Sequence, residues 1–291
     1  MIRSAERTDR NGLKSVPERT ILRQTGAVTE ADGSFPERGV LYVCATPIGN
    51  LGDITLRVLE TLKKVDLIAA EDTRNTLKLL NHFEISKPLT SYHEYNRYDK
   101  ARELTEKLNR GQSIALVTDA GTPAISDPGE VLVRLCMEEG ITVTPLPGPC
   151  AAVTALSASG AASGRFCFEG FLPSDKKERE RVLAELGDET RTIIIYEAPH
   201  HLAGTLKELW ECLGDRGLTV CRELTKLHEE FISLTLSEAL EYYEEHSPRG
   251  EFVLVIQGKD PRKLAEERAE GLNSGSVSEH VEHYEAMGHD R

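Results

Sequence analysis

Several common signatures are missing from this 291-residue chain. No apolar run approaches the ~20 residues needed to span a bilayer, and Met1 to Arg10 lacks the basic-then-apolar layout of a secretory signal, so a cytoplasmic protein with no membrane association is expected. Six cysteines (Cys44, Cys136, Cys150, Cys167, Cys212 and Cys221) include no C-x-x-C pair, so neither a metal site nor a disulfide framework is expected. The first strand is not followed by G-x-G-x-x-G, and G-x-x-x-x-G-K with Ser or Thr occurs nowhere, which removes the commonest dinucleotide and triphosphate cradles. H-E-x-x-H and G-x-S-x-G are absent too, leaving metalloprotease and α/β-hydrolase readings without a motif. Basic charge is scarce: 35 Lys and Arg face 48 Asp and Glu, a net of -13 that argues against holding nucleic acid by general electrostatics. The deficit is uneven, with 15 acidic and 6 basic residues between Glu229 and Arg291.

What is present is a repeated strand-loop-helix rhythm. Ile114 to Val117 is a continuous apolar run of the kind a strand buried on both faces shows, and it stops at Asp119. The following Asp119-Ala-Gly-Thr-Pro and Ser126-Asp-Pro-Gly are too rich in turn formers for a plain connection and suit a loop that presses backbone against a ligand. Ser126 or Asp127 is expected to cap a helix from Glu130 to Glu139, with Pro128 in its first turn. The same order recurs at Gly39 to Ala45, then Thr46-Pro-Ile-Gly-Asn-Leu-Gly-Asp53 and a helix near Thr55 to Lys63. It recurs again at Asp66 to Ala70, ending on Glu71-Asp-Thr-Arg74. A short strand at Pro88 to Ser91 delivers Tyr92-His-Glu-Tyr-Asn96, and a helix with Ala101, Leu104 and Leu108 on one face follows. Ile141 to Leu146 reads as a strand and Pro147-Gly-Pro-Cys as the start of a small-residue helix reaching about Ser159. In open α/β sheets ligands bind at the carboxyl ends of strands, so all these loops point to one edge.

The expected organisation is an α/β protein with two α/β domains. An N-terminal domain on a mostly parallel sheet spans 39–173, and a C-terminal α+β domain with a mixed sheet spans 174–258. The charged run Ser174 to Arg181 marks the boundary. Strands are expected at Thr192 to Glu197, Leu218 to Leu224, Phe231 to Leu236 and Glu251 to Ile256, with Ser237 capping a helix to about Glu245. Residues 1–38 read as a disordered arm or leader. Residues 259–291 read as a polar, poorly periodic tail with at most a weak helix around Ser278 to Met287.

Seven ordered motifs carry a resemblance: Ala45-Thr-Pro-Ile-Gly-Asn-Leu-Gly-Asp-Ile-Thr, Ala69-Ala-Glu-Asp-Thr-Arg, Thr118-Asp-Ala-Gly-Thr-Pro with Ser126-Asp-Pro-Gly, Pro145-Leu-Pro-Gly-Pro, Glu169-Gly-Phe-Leu-Pro, Tyr196-Glu-Ala-Pro-His and Arg222-Glu-Leu-Thr-Lys. Over about Val40 to Gly258 the chain resembles the ribosomal-RNA branch of the tetrapyrrole methylase superfamily. That resemblance implies S-adenosylmethionine-dependent methylation of a cytidine ribose 2'-hydroxyl in 16S rRNA of the small ribosomal subunit. It also implies a homodimer whose cofactor lies in the cleft between two domains. By the same likeness Ile48, Asp119, Gly121, Thr122, Pro149, Leu172, Leu224 and Glu251 match positions lining the cleft. Asp119 has the alternative role of a turn carboxylate.

Such a transfer must remove the hydroxyl proton, and the strand-end candidates are Glu71, Asp72 and His93, of which Glu71 and His93 are the expected participants. Their structural alternatives are a salt bridge from Glu71 to Arg74 and a hydrogen-bonded loop role for His93. Lys226 and His228 are candidates for phosphate contact or for a solvated surface, and Arg222 is a candidate partner of Glu197. Two departures from the family pattern stand out. His201 occupies a position where arginine is usual, and the family's short basic helical segment does not follow Arg291; the expectation is weak RNA methylation by these 291 residues. Rival readings are a tetrapyrrole carbon methyltransferase, disfavoured by Thr46-Pro-Ile-Gly-Asn in place of G-x-G-P-G-D, and a non-catalytic ribosome-assembly factor.

Overall fold

A computed structural model describes residues 39–274. The expected arm at 1–38 and the weak helix at Ser278 to Met287 lie outside the described residues. The first half alternates strand and helix: β1 (Val40–Cys44), α1 (Leu56–Lys64), β2 (Leu67–Ala70), α2 (Thr73–His82), β3 (Leu89–Ser91), α3 (Arg97–Asn109), β4 (Ile114–Val117), α4 (Gly129–Glu138), β5 (Thr142–Leu146) and α5 (Ala151–Ala158). The five strands form a parallel sheet in the order β3-β2-β4-β1-β5. Residues alternate between its faces. Tyr42, Cys44, Ala115 and Val117 face one core with Val58 and Leu62 of α1 and Leu80 of α2. Leu41, Ile114 and Leu116 face another with Leu104 and Leu108 of α3 and Leu132 and Cys136 of α4. Burial on both faces explains why these strands read as unbroken apolar runs.

The second half comprises β6 (Phe166–Phe171), α6 (Lys176–Gly187), β7 (Thr192–Glu197), α7 (Leu202–Leu213), β8 (Gly217–Arg222), β9 (Glu230–Thr235), α8 (Leu236–Glu245), β10 (Phe252–Ile256) and α9 (Pro261–Ser274). Its sheet has the order β6-β7-β10-β8-β9; only β6 and β7 run parallel, so the sheet is mixed. Ile193, Ile195, Leu254 and Ile256 face α6, α7 and α8, while Ile194, Val253 and Val255 face the small residues Ala152 and Ala155 of α5. Helix α5 therefore follows the first sheet in sequence but packs on the second.

Several local expectations are corrected. The charged run Ser174 to Arg181 is the opening of α6, whose N-terminal Asp175 accepts a hydrogen bond from the Glu178 N–H at 3.0 Å and whose Leu183 and Leu186 are buried. Strand β6, placed by the sequence ahead of that run, pairs with β7 in the second sheet, so the change of sheet falls between β5 and β6. Ser237 does not cap α8. Thr235 does, in a reciprocal capping box with Glu238. Pro128 rather than Ser126 or Asp127 stands at the start of α4, and Asp127 serves from just outside by accepting the Gly129 N–H at 2.8 Å. Helix α9 occupies the first part of the expected polar tail; Lys259 and Arg268 hold it to Asp188, a tie that leaves no hydrophobic period to read.

Candidate functional site

The site follows from where the chain reverses direction across the first sheet. Strands β1 and β4 are parallel neighbours, yet α1 after β1 packs on one face and α4 after β4 on the other. Their outgoing loops must diverge, which opens a crevice at the carboxyl edge. Thr46 and Gly121 hold its floor through reciprocal backbone hydrogen bonds of 2.9 and 3.0 Å, and the Thr46 hydroxyl donates to the Thr118 carbonyl at 3.0 Å. The Thr122 hydroxyl donates to the Pro149 carbonyl at 3.0 Å, bringing in the loop after β5. Between them Ala124 and Ser126 hold φ of 68° and 55°, a conformation that side-chain-bearing residues seldom adopt. Asp127 Oδ1 stabilises the turn by accepting the N–H groups of Ala124 and Gly129.

Loops of the second sheet close the other side. Gly49 lies so near the 224–226 loop that a Cβ there would stand 3.0 Å from the Leu224 carbonyl oxygen, and a Cβ on Gly170 would stand 2.7 Å from Ser126 Oγ. Tyr196 crosses between the halves: its hydroxyl accepts the Ala152 N–H at 3.0 Å, and its ring makes edge contacts with Phe168 and Phe171. Burial pushes that hydroxyl up to about 12, so it stays protonated. The result is a cavity of about 560 Å³, within the range of small-molecule sites.

Seven of the anticipated residues line this cavity: Ile48, Glu71, Asp119, Gly121, Thr122, Leu224 and Glu251. Three do not. Pro149 offers its carbonyl to Thr122 from behind, Leu172 is buried in the core beneath α6 and α7, and His93 sits in the β3–α3 loop with its N–H donating to Asn96 Oδ1 at 2.9 Å. Glu71 does not pair with Arg74. Its Oε2 accepts the Thr118 hydroxyl at 2.7 Å and the Asp119 N–H at 3.3 Å, while Arg74 forks onto Asp72 and, by those hydrogen bonds, holds its carboxyl down at about 2. Asp119 accepts the Asp72 N–H and the Asn75 side-chain amide, a turn role that leaves it on the cavity wall. Arg222 pairs with Glu230 at 2.6 Å rather than with Glu197, whose carboxylate accepts Thr205 at 2.5 Å. Lys226 is engaged by Glu223 and Glu251 at 2.8 and 2.6 Å. Lining residues that the sequence did not assign to the cavity include Ile125, Asp127, Phe171, Tyr196 and Glu197; the motifs Glu169-Gly-Phe and Tyr196-Glu contained the signal for the last three.

The lining holds five carboxylates, Glu71, Asp119, Asp127, Glu197 and Glu251, and no lysine or arginine. Such a wall repels a polyphosphate and attracts a cation. Among the described residues there is no cluster able to hold a metal and no helix long and apolar enough to cross a membrane.

The family described as Tetrapyrrole (Corrin/Porphyrin) Methylases matches residues 40–240. A relative from Synechocystis sp., named ribosomal RNA small subunit methyltransferase I, is 57% identical over 224 residues, which cover 77% of this chain and 80% of the relative. The chain belongs to the ribosomal RNA small subunit methyltransferase I family of tetrapyrrole methylases. A second member of that family, from Halalkalibacterium halodurans, is 50% identical over 252 residues, covering 87% and 86% of the two chains. The fold is shared with a solved cobalt precorrin-4 methyltransferase at a TM-score of 0.58 and 17% identity, over 77% of this chain and 98% of that one.

Proposed function

We propose that this chain transfers a methyl group from S-adenosylmethionine to the ribose 2'-hydroxyl of a cytidine in 16S rRNA. The observation that carries this reading is the acid-lined cavity built from loops of both sheets, in a chain whose relatives bear a small-subunit rRNA methyltransferase name. The cofactor supplies an electrophilic methyl on a cationic sulfonium, and the residues present suit it. Ile48 and Leu224 offer apolar wall, Gly121 and Thr122 offer backbone at close range, and the carboxylates favour positive charge. Pro149 acts behind this lining by accepting the Thr122 hydroxyl, and Leu172 anchors the end of β6 in the core. Transfer needs the acceptor oxygen about 3 Å from the methyl carbon, so positioning supplies much of the rate. Glu71, on the cavity wall, takes the role of accepting or orienting the hydroxyl proton, in preference to His93 outside it. The chain works as a homodimer in the cytoplasm, with one domain built on each sheet.

The test is transfer of tritiated methyl from the cofactor to 30S subunits, followed by alkaline digestion. Label retained in an alkali-resistant, cytidine-containing dinucleotide is the expected result. Label confined to a base, or no incorporation while a tetrapyrrole is methylated, would overturn the reading.

A further inference from the structure

The loop joining β3 to α3 borders the cavity without lining it. Its root is fixed: the Tyr92 N–H donates to the Ala70 carbonyl at 2.8 Å and the buried Tyr92 hydroxyl to the Pro128 carbonyl at 3.0 Å. The segment is thereby tied both to the end of β2, where Glu71 stands, and to the 125–128 turn of the cavity wall. Next comes a tight turn in which the Asn96 N–H donates to the His93 carbonyl at 3.0 Å and Asn96 Oδ1 accepts the His93 N–H at 2.9 Å. At its tip Tyr95 is 97% exposed. Beyond an edge contact with the His93 ring, centres 6.1 Å apart, this large ring lies in water on a braced turn, and Glu94, Asn96 and Arg97 around it are polar, unlike the contiguous apolar patch of a protein-docking surface. Beside it Tyr98 is 58% exposed, and the Arg97 guanidinium, 5.0 Å from that ring's centre, is paired with Glu94, so the second exposed surface of the loop is the Tyr98 ring rather than a free charge. Among the described residues Nδ1 of His93 and Nε of Arg97 are buried without a hydrogen-bond partner.

We propose that Tyr95 is a stacking platform for an unpaired nucleobase of the RNA substrate, placed at the same sheet edge as the reacting nucleotide. The inference rests on the RNA methylation proposed above. Its physical basis is that base–aromatic stacking is independent of charge and accepts any base, which suits a chain of net charge -13 better than attraction to phosphate does. Single-stranded RNA with splayed bases is recognised in this manner.

The experiment compares wild type, Tyr95→Ala and Tyr95→Phe in equilibrium binding to 30S subunits, in steady-state methyl transfer to them, and in S-adenosylmethionine titration. Tyr95→Ala is expected to weaken subunit binding and raise KM by about five- to a hundredfold, the range of one lost stack, with cofactor affinity unchanged. Tyr95→Phe, which keeps the ring, restores both. Subunit binding by Tyr95→Ala within twofold of wild type overturns the platform, as does an equal loss in Tyr95→Phe. Because binding is read apart from turnover, a wild-type chain that holds subunits without methylating them refutes the proposed reaction while the stacking test still decides.

Discussion

Glu71 is placed by hydrogen bonds rather than by a charge partner, since Arg74 is occupied by Asp72 and, among the described residues, the Glu71 carboxylate meets the Thr118 hydroxyl and the Asp119 N–H. A Glu71→Gln substitution keeps an acceptor for Thr118 and loses basicity. We expect turnover on 30S subunits to fall by about a hundredfold or more with cofactor affinity retained, and His93→Ala to change kcat by no more than about threefold; a fully active Glu71→Gln would remove Glu71 from the chemistry. A second residue-scale consequence concerns acid stability. Arg191 holds the Glu189 carboxyl down at about 2, below its ordinary 4.5, through side-chain hydrogen bonds of 2.6 and 2.9 Å. A depressed carboxylate stabilises the folded state fully above its unfolded value and loses that contribution as pH falls toward the folded one. The gap in urea midpoint between wild type and Glu189→Gln, ~1 kcal/mol or less in free energy, should therefore be full at pH 7 and close between pH 4.5 and 2. A gap that stays constant over that interval would show that Glu189 acts through something other than its charge.

Turns and caps decide the elements around the cavity. A Cβ on Gly129 would stand 2.9 Å from Leu116 Cδ2 and 3.0 Å from the Ala124 nitrogen, so α4 could not start where it does without pushing the 122–128 turn outward. Gly129→Ala should cost about 1–3 kcal/mol and weaken S-adenosylmethionine binding, both measurable in one thermal titration with and without cofactor. At α8, Thr235→Ala should cost about 1 kcal/mol of stability, because Thr235 and not Ser237 closes the capping box. Sequence alone announced the central strands, since Val40 to Cys44, Ile114 to Val117 and Ile193 to Ile195 are buried on both sides and leave no polar alternation. It announced the turn-rich loops for the same physical reason that they bend. Helix α2 escaped because its apolar residues are few and Leu77 remains exposed, and α6 because charge on its outer face hid the buried Leu183 and Leu186. The half of the lining contributed by Phe171 and Tyr196 was hidden for another reason: nothing local says that the second sheet presents those rings to loops of the first.

Over the whole molecule, acidity would limit how the proposed RNA substrate is held. Lys226 is engaged by two glutamates and Arg222 by Glu230, so these two cations are already paired before any phosphate arrives. Subunit binding should show a log K against log salt slope shallower than about -3, and a slope near -8 would mean that a basic surface dominates. The pairing order β3-β2-β4-β1-β5 carries a further consequence, this time for synthesis. Of the strands described, β1 leaves the ribosome first, yet its two neighbours are β4 and β5, so one edge of it stays unpaired until residue 117, and the other until residue 146, has been translated and cleared the exit tunnel. At translation rates of about 5–20 residues per second, the nascent chain carries an apolar, unpartnered Val40–Cys44 for several seconds, an interval in which chaperone capture competes with collapse.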